Sequence, residues 1–398
     1  MRVLIVGAVS AADGGRTTGG IATHVSDLAR ALAAAGHDVA VFADNLAAAE
    51  PRTTSWGTLF TRAAGKTASL GARAAGLALA ITRDGTAGEL GQGLGTTLSY
   101  VLGLERALSA HAPDVVHVHQ ADWRSLYVRL SRIRAPRVVV TQHSLSVFRG
   151  TDGCLQPSAE LSAAARATLA GLRDADARIA VSADVAETLA GLDPSRTCEV
   201  IPNGIDLTRF RPGTDTETPA LIAFVGRVSR DKGAADLIAA AGMVASRVEG
   251  VRLALAGPVE DVDPAAAAAA AKLDDDALEV LGAVGEEEVA ALLRRASVLA
   301  LPSHLREGQP RALLEAMASA VPVVATRVGS VPELLGEGEA GELVECGDIA
   351  GLAEALERTL AGGATVETRV QQAARRARDF DLDEVARRVA AVYTRVSA

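Results

Sequence analysis

Eleven short apolar runs, rich in valine and isoleucine and separated by stretches of helical periodicity, set the narrowest limits on how this chain can fold. The first series is Val3–Val6, Val39–Phe42, Val115–Val118, Val138–Thr141, Ile179–Val181 and Glu199–Ile201. The second is Leu221–Val225, Leu253–Ala256, Leu278–Leu281, Val298–Leu301 and Val321–Ala325. Most of these runs are continuous rather than alternating, the pattern of strands covered on both faces of a parallel sheet. Strands alternating with helices predict an α/β chain of two doubly wound, Rossmann-like domains. A length of 398 residues suffices for two such cores. The polar, proline-bearing stretch Arg211-Pro212-Gly213-Thr214-Asp215 precedes the second series. It sets the expected division at 1–212 and 213–378. Ligands of doubly wound sheets bind at the carboxyl ends of strands, so the expected site is a cleft faced by both domains.

Several function classes drop out on composition. The formal net charge is −9, with +1 in residues 1–210 and −10 in 211–398. An acidic chain without basic-aromatic clusters argues against nucleic acid as a partner. Met1–Gly7 reads as a first strand and glycine turn rather than a signal peptide, and no apolar run reaches the ~20 residues of a membrane span. The expectation is a cytoplasmic protein. Cys154, Cys198 and Cys346 are far apart and form no CxxC, so neither zinc nor a disulfide framework is expected, only inert buried thiols.

The stretch from Ser303 to Glu333, SHLREGQPRALLEAMASAVPVVATRVGSVPE, carries the densest chemistry. Glu307 and Glu315 stand eight residues apart. On one helix they would lie ~80° apart, but Pro310 suits a helix start and leaves Glu307 in the preceding loop. Two carboxylates then reach different parts of one ligand, with phosphates near the helix N-terminus. The bland alternative is an exposed Glu307 and a Glu315 paired with Arg311 one turn back. A second loop, Gly226-Arg227-Val228-Ser229-Arg230-Asp231-Lys232-Gly233, directly follows the strand LIAFV. A strand-to-helix turn with glycine at both ends exposes backbone N–H groups to an anion, and Arg227 and Lys232 add a fork and a point charge. Lys232 is one of three lysines among 40 cations.

The first glycine loop is not GxGxxG, which weakens a dinucleotide reading. Its Gly19-Gly20 pair opens a helix with apolar spacing at Ile21, Val25, Leu28 and Leu32. His117 and His119 share a face at the end of one strand, and His143 follows the next, so His119 and His143 fall in one layer. Acidic pairs such as Asp174/Asp176, Asp261/Asp263 and Asp379/Asp381 sit on no convincing strand-end loop, so no metal is expected; Asp263 and Pro264 instead start a surface helix. Residues 51–83 hold five cations and no acid. On a helix, Arg62, Lys66 and Arg73 would fall within ~40° of one another and could meet an anionic membrane or a phosphorylated acceptor.

Taken in order, GGIATHVSDLARALAAAGHDV, DVVHVHQ, VVVTQHS, IPNGIDLTRFRP, FVGRVSRDKGAADLIAA, LALAG and the E-x7-E segment resemble the GT-B glycosyltransferases of family 4, the retaining "glycosyl transferases group 1". The resemblance covers nearly the whole chain. It implies transfer of a sugar from a nucleotide donor, UDP- or GDP-linked, to a hydroxyl acceptor with retention and without metal. It assigns Arg227 and Lys232 to the donor diphosphate, Glu315 to the ribose and Glu307 to the transferred sugar. It lines the reaction centre with Gly19 and Gly20, sets His119 by the sugar, and brings the base to backbone atoms of Ala283 and Val284. It also sends residues 379–398 back to the first domain. Among the acceptor-side candidates, His143, Arg62 and Lys66, the resemblance selects none. A small polyol or cyclitol, a natural product and a lipid remain open as acceptors, as does peripheral membrane contact, and the oligomeric state is not indicated. Two positions depart from the family's habit: Ala320 stands where glycine is frequent, and Gly329-Ser330 where Gly-Gly is, so Ser330 is expected to narrow the sugar's space. Rival readings are a GT-B epimerase or phosphorylase and a non-catalytic sugar-nucleotide-binding protein.

Overall fold

The computed structural model describes residues 1–16, 19–46, 50–62, 94–120, 136–148, 161–213 and 219–398. The chain forms two compact units. One comprises 1–17, 21–202 and 385–398, the other 18–20 and 203–384.

The first unit is built on an eight-stranded sheet in the order β3-β4-β2-β1-β5-β6-β7-β8. These are Arg52–Thr53, Thr58–Phe60, Asp38–Phe42, Arg2–Val6, Val115–His119, Arg137–Gln142, Ala177–Ala180 and Glu199–Val200. All pairings are parallel except β3 with β4. Every expected run became a strand, and β1, β2, β5 and β6 are buried almost throughout, as their unbroken apolarity requires. The β3–β4 hairpin was not expected. Thr54 closes it by accepting from the Trp56 and Gly57 amides. It also corrects part of the basic-helix expectation: Arg52 lies on a strand, and Arg62 follows β4 outside any helix. Lys66, Arg73 and Arg83 lie outside the described residues, as does Cys154.

The second unit holds a fully parallel six-stranded sheet, β11-β10-β9-β12-β13-β14, formed by Leu278–Gly282, Arg252–Ala256, Leu221–Val225, Val298–Leu301, Val323–Thr326 and Glu342–Val344. A separate apolar cluster covers each face. Leu313, Leu314 and Met317 lie in one, Leu237, Ile238 and Leu356 in the other. Asp263 caps the helix Pro264–Ala271 by accepting from the Ala265 and Ala266 amides. Asp176 accepts from the Val138 amide and Asp381 from those of Asp383 and Glu384. These carboxylates serve backbone ends.

The division falls at 202/203, ten residues before the expected 212/213. The segment IPNGIDLTRF explains the shift. Ile205 and Phe210 are buried in the second unit's core, Ile205 bridges Asp381, and the Asn203 amide donates to Gln309 Oε1 at 2.5 Å. At the other end, residues 379–384 stay with the second unit, and the chain joins the first only from Val385. Cys198 is half-buried, but Cys346 is exposed on the turn after β14, contrary to the expectation of buried thiols.

Candidate functional site

In the second unit, three loops meet at the carboxyl ends of β9, β12 and β13. The first is 226–233, after β9. Gly233 adopts φ +71°, and a Cβ there would stand 1.9 Å from the carbonyl oxygen of Pro302. Only glycine lets the backbones approach so closely. The second loop, 302–310, carries Glu307. The Asp231 carbonyl accepts from the His304 and Leu305 amides, at 2.9 and 3.2 Å. Thr326 Oγ1 donates to the Ser303 carbonyl at 2.6 Å, and the Ser330 amide to the Glu307 carbonyl at 2.9 Å. The third loop, 327–330, closes on it through Gly329, whose φ is +54° and whose Cβ would stand 2.2 Å from the Glu307 oxygen. The acidic loop is thus fixed from both sides by main chain.

Within this frame, Lys232 Nζ lies 2.6 Å from Glu307 Oε1. Both side chains are largely buried, so removing either strands a charge in a poorly solvated place. Arg227 Nη2 donates to Asp231 at 2.8 Å and Nη1 to Glu260 at 2.6 Å. Two of its five N–H groups are so engaged, which fixes the plane of the fork and leaves others for a further acceptor. Burial pushes the Asp231 carboxyl up, but hydrogen bonds from Ser229 and Arg227 outweigh it and the carboxyl ends below its usual range. Helix Arg311–Ala318 starts directly after Pro310, with no side chain capping it, and Glu307 precedes it in the loop, both as expected. Glu315 is buried and lies 3.4 Å from Arg311 Nε, so the anticipated i,i+4 pair is present as well. Arg311 also donates to the Gly204 carbonyl at 3.1 Å. Gly19 and Gly20 group with this unit, and a Cβ on Gly20 would lie 3.4 Å from Arg311 Cδ. Ala283 is exposed and Val284 half-buried on the turn after β11, at the same end of the sheet. Ser330 is buried and packs its amide, rather than a charge, against the Glu307 loop.

The first unit gathers histidines. His119 ends β5, His143 follows β6, and His24 comes from helix Gly20–Ala34, all three buried. His119 Nδ1 lies 3.0 Å from His143 Nε2, and the His24 ring centroid is 5.3 Å from each of theirs. Gln120 Oε1 accepts from the His143 and Ser144 amides and holds that turn. Burial first, then the neighbouring His117, His143 and His24, hold His119 well below its usual value, so it is neutral at neutral pH. A neutral imidazole offers hydrogen bonds rather than charge. The ligating nitrogens of His24, His119 and His143 lie within 4.8 Å of one another, the one metal-compatible group among the described residues. Yet the His119–His143 contact is a hydrogen bond that needs one proton between those nitrogens. A metal bound through either of those two nitrogens would displace that proton.

His24 was missed in the sequence. It sits one turn before Leu28 on the helix's apolar face, and a histidine on that stripe was the available signal. Arg62, expected on the acceptor side, donates to Asp44 at 3.1 Å. The structure brings Arg227, Lys232, Glu307 and Glu315 to one sheet end, and His119 and His143 to another.

Comparisons with known proteins agree with this architecture. Residues 18–209 match the model of Glycosyltransferase Family 4, and 207–377 that of Glycosyl transferases group 1. The chain is 31% identical to a glycogen synthase of Mycobacterium tuberculosis, over 94% of this chain and 91% of that protein. It is 30% identical to the D-inositol 3-phosphate glycosyltransferase of Actinosynnema mirum, over 75% and 77%. Among solved structures, HepE of Anabaena in complex with UDP and glucose superposes with a TM-score of 0.71 at 18% identity, covering 99% of this chain and 100% of that one. The chain belongs to the GT-B glycosyltransferases of family 4, the group 1 glycosyl transferases.

Proposed function

We propose that the chain is a retaining transferase that moves a hexosyl group from a UDP-sugar to a hydroxyl of a small phosphorylated polyol, without a metal. The observation that carries the donor half is the convergence of Lys232, Arg227 and Glu307 on the carboxyl ends of β9 and β12, beside an uncapped helix N-terminus. Two cations and oriented backbone N–H groups suit a diphosphate, whose negative charge grows as it leaves. In this reading Arg227 and Lys232 take the diphosphate and Glu307 accepts from hydroxyls of the transferred sugar. Glu315 accepts from the ribose, Ala283 and Val284 meet the base through main chain, and Gly19 and Gly20 line the reaction centre. The acceptor oxygen attacks the anomeric carbon as the bond to the β-phosphate oxygen breaks. That phosphate oxygen takes the acceptor's proton, so attack and departure share one face. His119, neutral and bonded to His143, supplies hydrogen bonds to the sugar, and His143 supplies them to the acceptor.

UDP is favoured as the nucleotide because HepE, of the same fold, is described in complex with UDP and glucose. A phosphorylated polyol is favoured because the Actinosynnema relative is named for D-inositol 3-phosphate. A mass-spectrometric screen of UDP-, ADP- and GDP-sugars against pooled phosphorylated and unphosphorylated polyols, sugars and lipids tests this reading. Product from a UDP-sugar and a phosphorylated polyol supports it. Product only with lipid acceptors, or epimerised sugar nucleotide without any acceptor, overturns it. Among the described residues no helix is long and apolar enough to cross a membrane.

A further inference from the structure

The last helix, Leu382–Ser397, buries a tyrosine near its end. Its buried stripe is Val385, Ala386, Val389, Val392 and Tyr393. Arg388 donates to the Val200 carbonyl at 2.6 Å, and Arg395 pairs with Glu199, so the helix is tied to β8 of the first unit. Tyr393 is fully buried, and its hydroxyl lies 2.6 Å from His117 Nδ1. The other ring nitrogen of His117, Nε2, lies 2.7 Å from Thr141 Oγ1 on β6. A neutral imidazole donates from one nitrogen and accepts at the other. A phenol is the better donor and the poorer acceptor of the two hydroxyls. Tyr393 O–H therefore donates to Nδ1, and Nε2–H donates to Thr141. The His117 ring centroid lies 4.2 Å from that of His119, closer than either His24 or His143. His119 Nε2 is buried with no protein partner among the described residues, whereas Nδ1 faces His143. The two rings are tilted by 41°, and a ring aimed through one nitrogen depends on the neighbour packed closest to it.

We propose that Tyr393 is a positioning residue for sugar transfer: its hydroxyl fixes the tautomer and rotamer of His117, whose ring fixes the plane in which His119 presents Nε2 to substrate. The inference rests on the reading of His119 as a substrate-facing group. Substitutions of Tyr393 act through His117 and leave the diphosphate loops of the second unit untouched. The expected signature is a fall in kcat with little change in donor KM.

The test is Tyr393→Phe, which removes one oxygen, read by steady-state kinetics and by the side-chain nitrogen chemical shifts of His117 in uniformly 15N-labelled protein. The expected result is a kcat lower by about tenfold, or ~1.4 kcal/mol of barrier, a donor KM within about twofold, and His117 nitrogen shifts moving from one tautomer towards an average of two. Should Tyr393→Phe fail to fold, Thr141→Val breaks the other bond of the same ring and must shift kcat and the nitrogen signals in the same sense. Unchanged kcat and unchanged His117 shifts in a folded variant overturn the proposal. His119→Ala separates its failure from that of the underlying reading. If His119→Ala turns over normally, both fall; if it is crippled while Tyr393→Phe is normal, only the positioning role falls.

Discussion

Burying neutral histidines makes the first unit acid-sensitive, and the size of the effect follows from one side chain. Burial, with His143 nearby, lowers the pKa of His117 to about 3 from an ordinary 6.5. The unfolded chain takes up a proton below 6.5, while native His117 stays neutral down to about 3. Stability is therefore full above pH 6.5 and is lost as pH falls towards 3. From pH 7 to pH 5 this residue alone should remove about 2 kcal/mol. His119 shifts in the same direction and adds to the loss. Urea unfolding of the wild type and His117→Gln at pH 7 and pH 5 isolates the term. Glutamine keeps a donor and an acceptor near the ring's nitrogens but does not titrate. The wild type should lose about 2 kcal/mol more than the variant over that interval. Equal losses would mean that His117 titrates alike in the folded and unfolded chains, and would refute the reasoning.

Three further outcomes follow from backbone geometry and charge. Ala320 adopts φ +56° just past the helix ending at Ala318, so Ala320→Gly should stabilise the protein by roughly 0.5–1 kcal/mol; a lower melting temperature would refute the strain. Gly233→Ala must displace the Pro302 carbonyl as well as tolerate a positive φ, and should cost ~2 kcal/mol or more together with donor affinity. A variant with unchanged melting and unchanged donor KM would show that the two loops are less tightly joined. Glu260→Gln frees one side of the Arg227 fork and should raise donor KM several-fold without changing the melting temperature by more than about 2 °C, since the pair is half-exposed. An unchanged KM would remove Glu260 from the donor site.

Much of this was legible in the sequence because the signals were local. Continuous apolar runs specify parallel strands, and Pro310 marks where helix 311–318 begins, which sets Glu307 apart from Glu315. What escaped is non-local or runs against pattern. The Arg52–Thr53 and Thr58–Phe60 hairpin is too short for periodicity to register. The unit boundary moved to 202/203 because Ile205 and Phe210, in a stretch with linker composition, pack into the second core. The partners of Arg227 include Asp231, one helical turn away in sequence, and Glu260, from a different loop altogether. The Tyr393–His117 bond joins residues 276 apart, and no spacing rule reaches that far.

Donor binding by the loops around Lys232 and Glu307 underlies every step proposed for this chain. Calorimetric titration of UDP into the wild type and Lys232→Ala tests it most directly. The wild type should bind saturably, the variant at least ~30-fold more weakly, with unchanged circular dichroism. Equal affinity of the two folded proteins for UDP would contradict it.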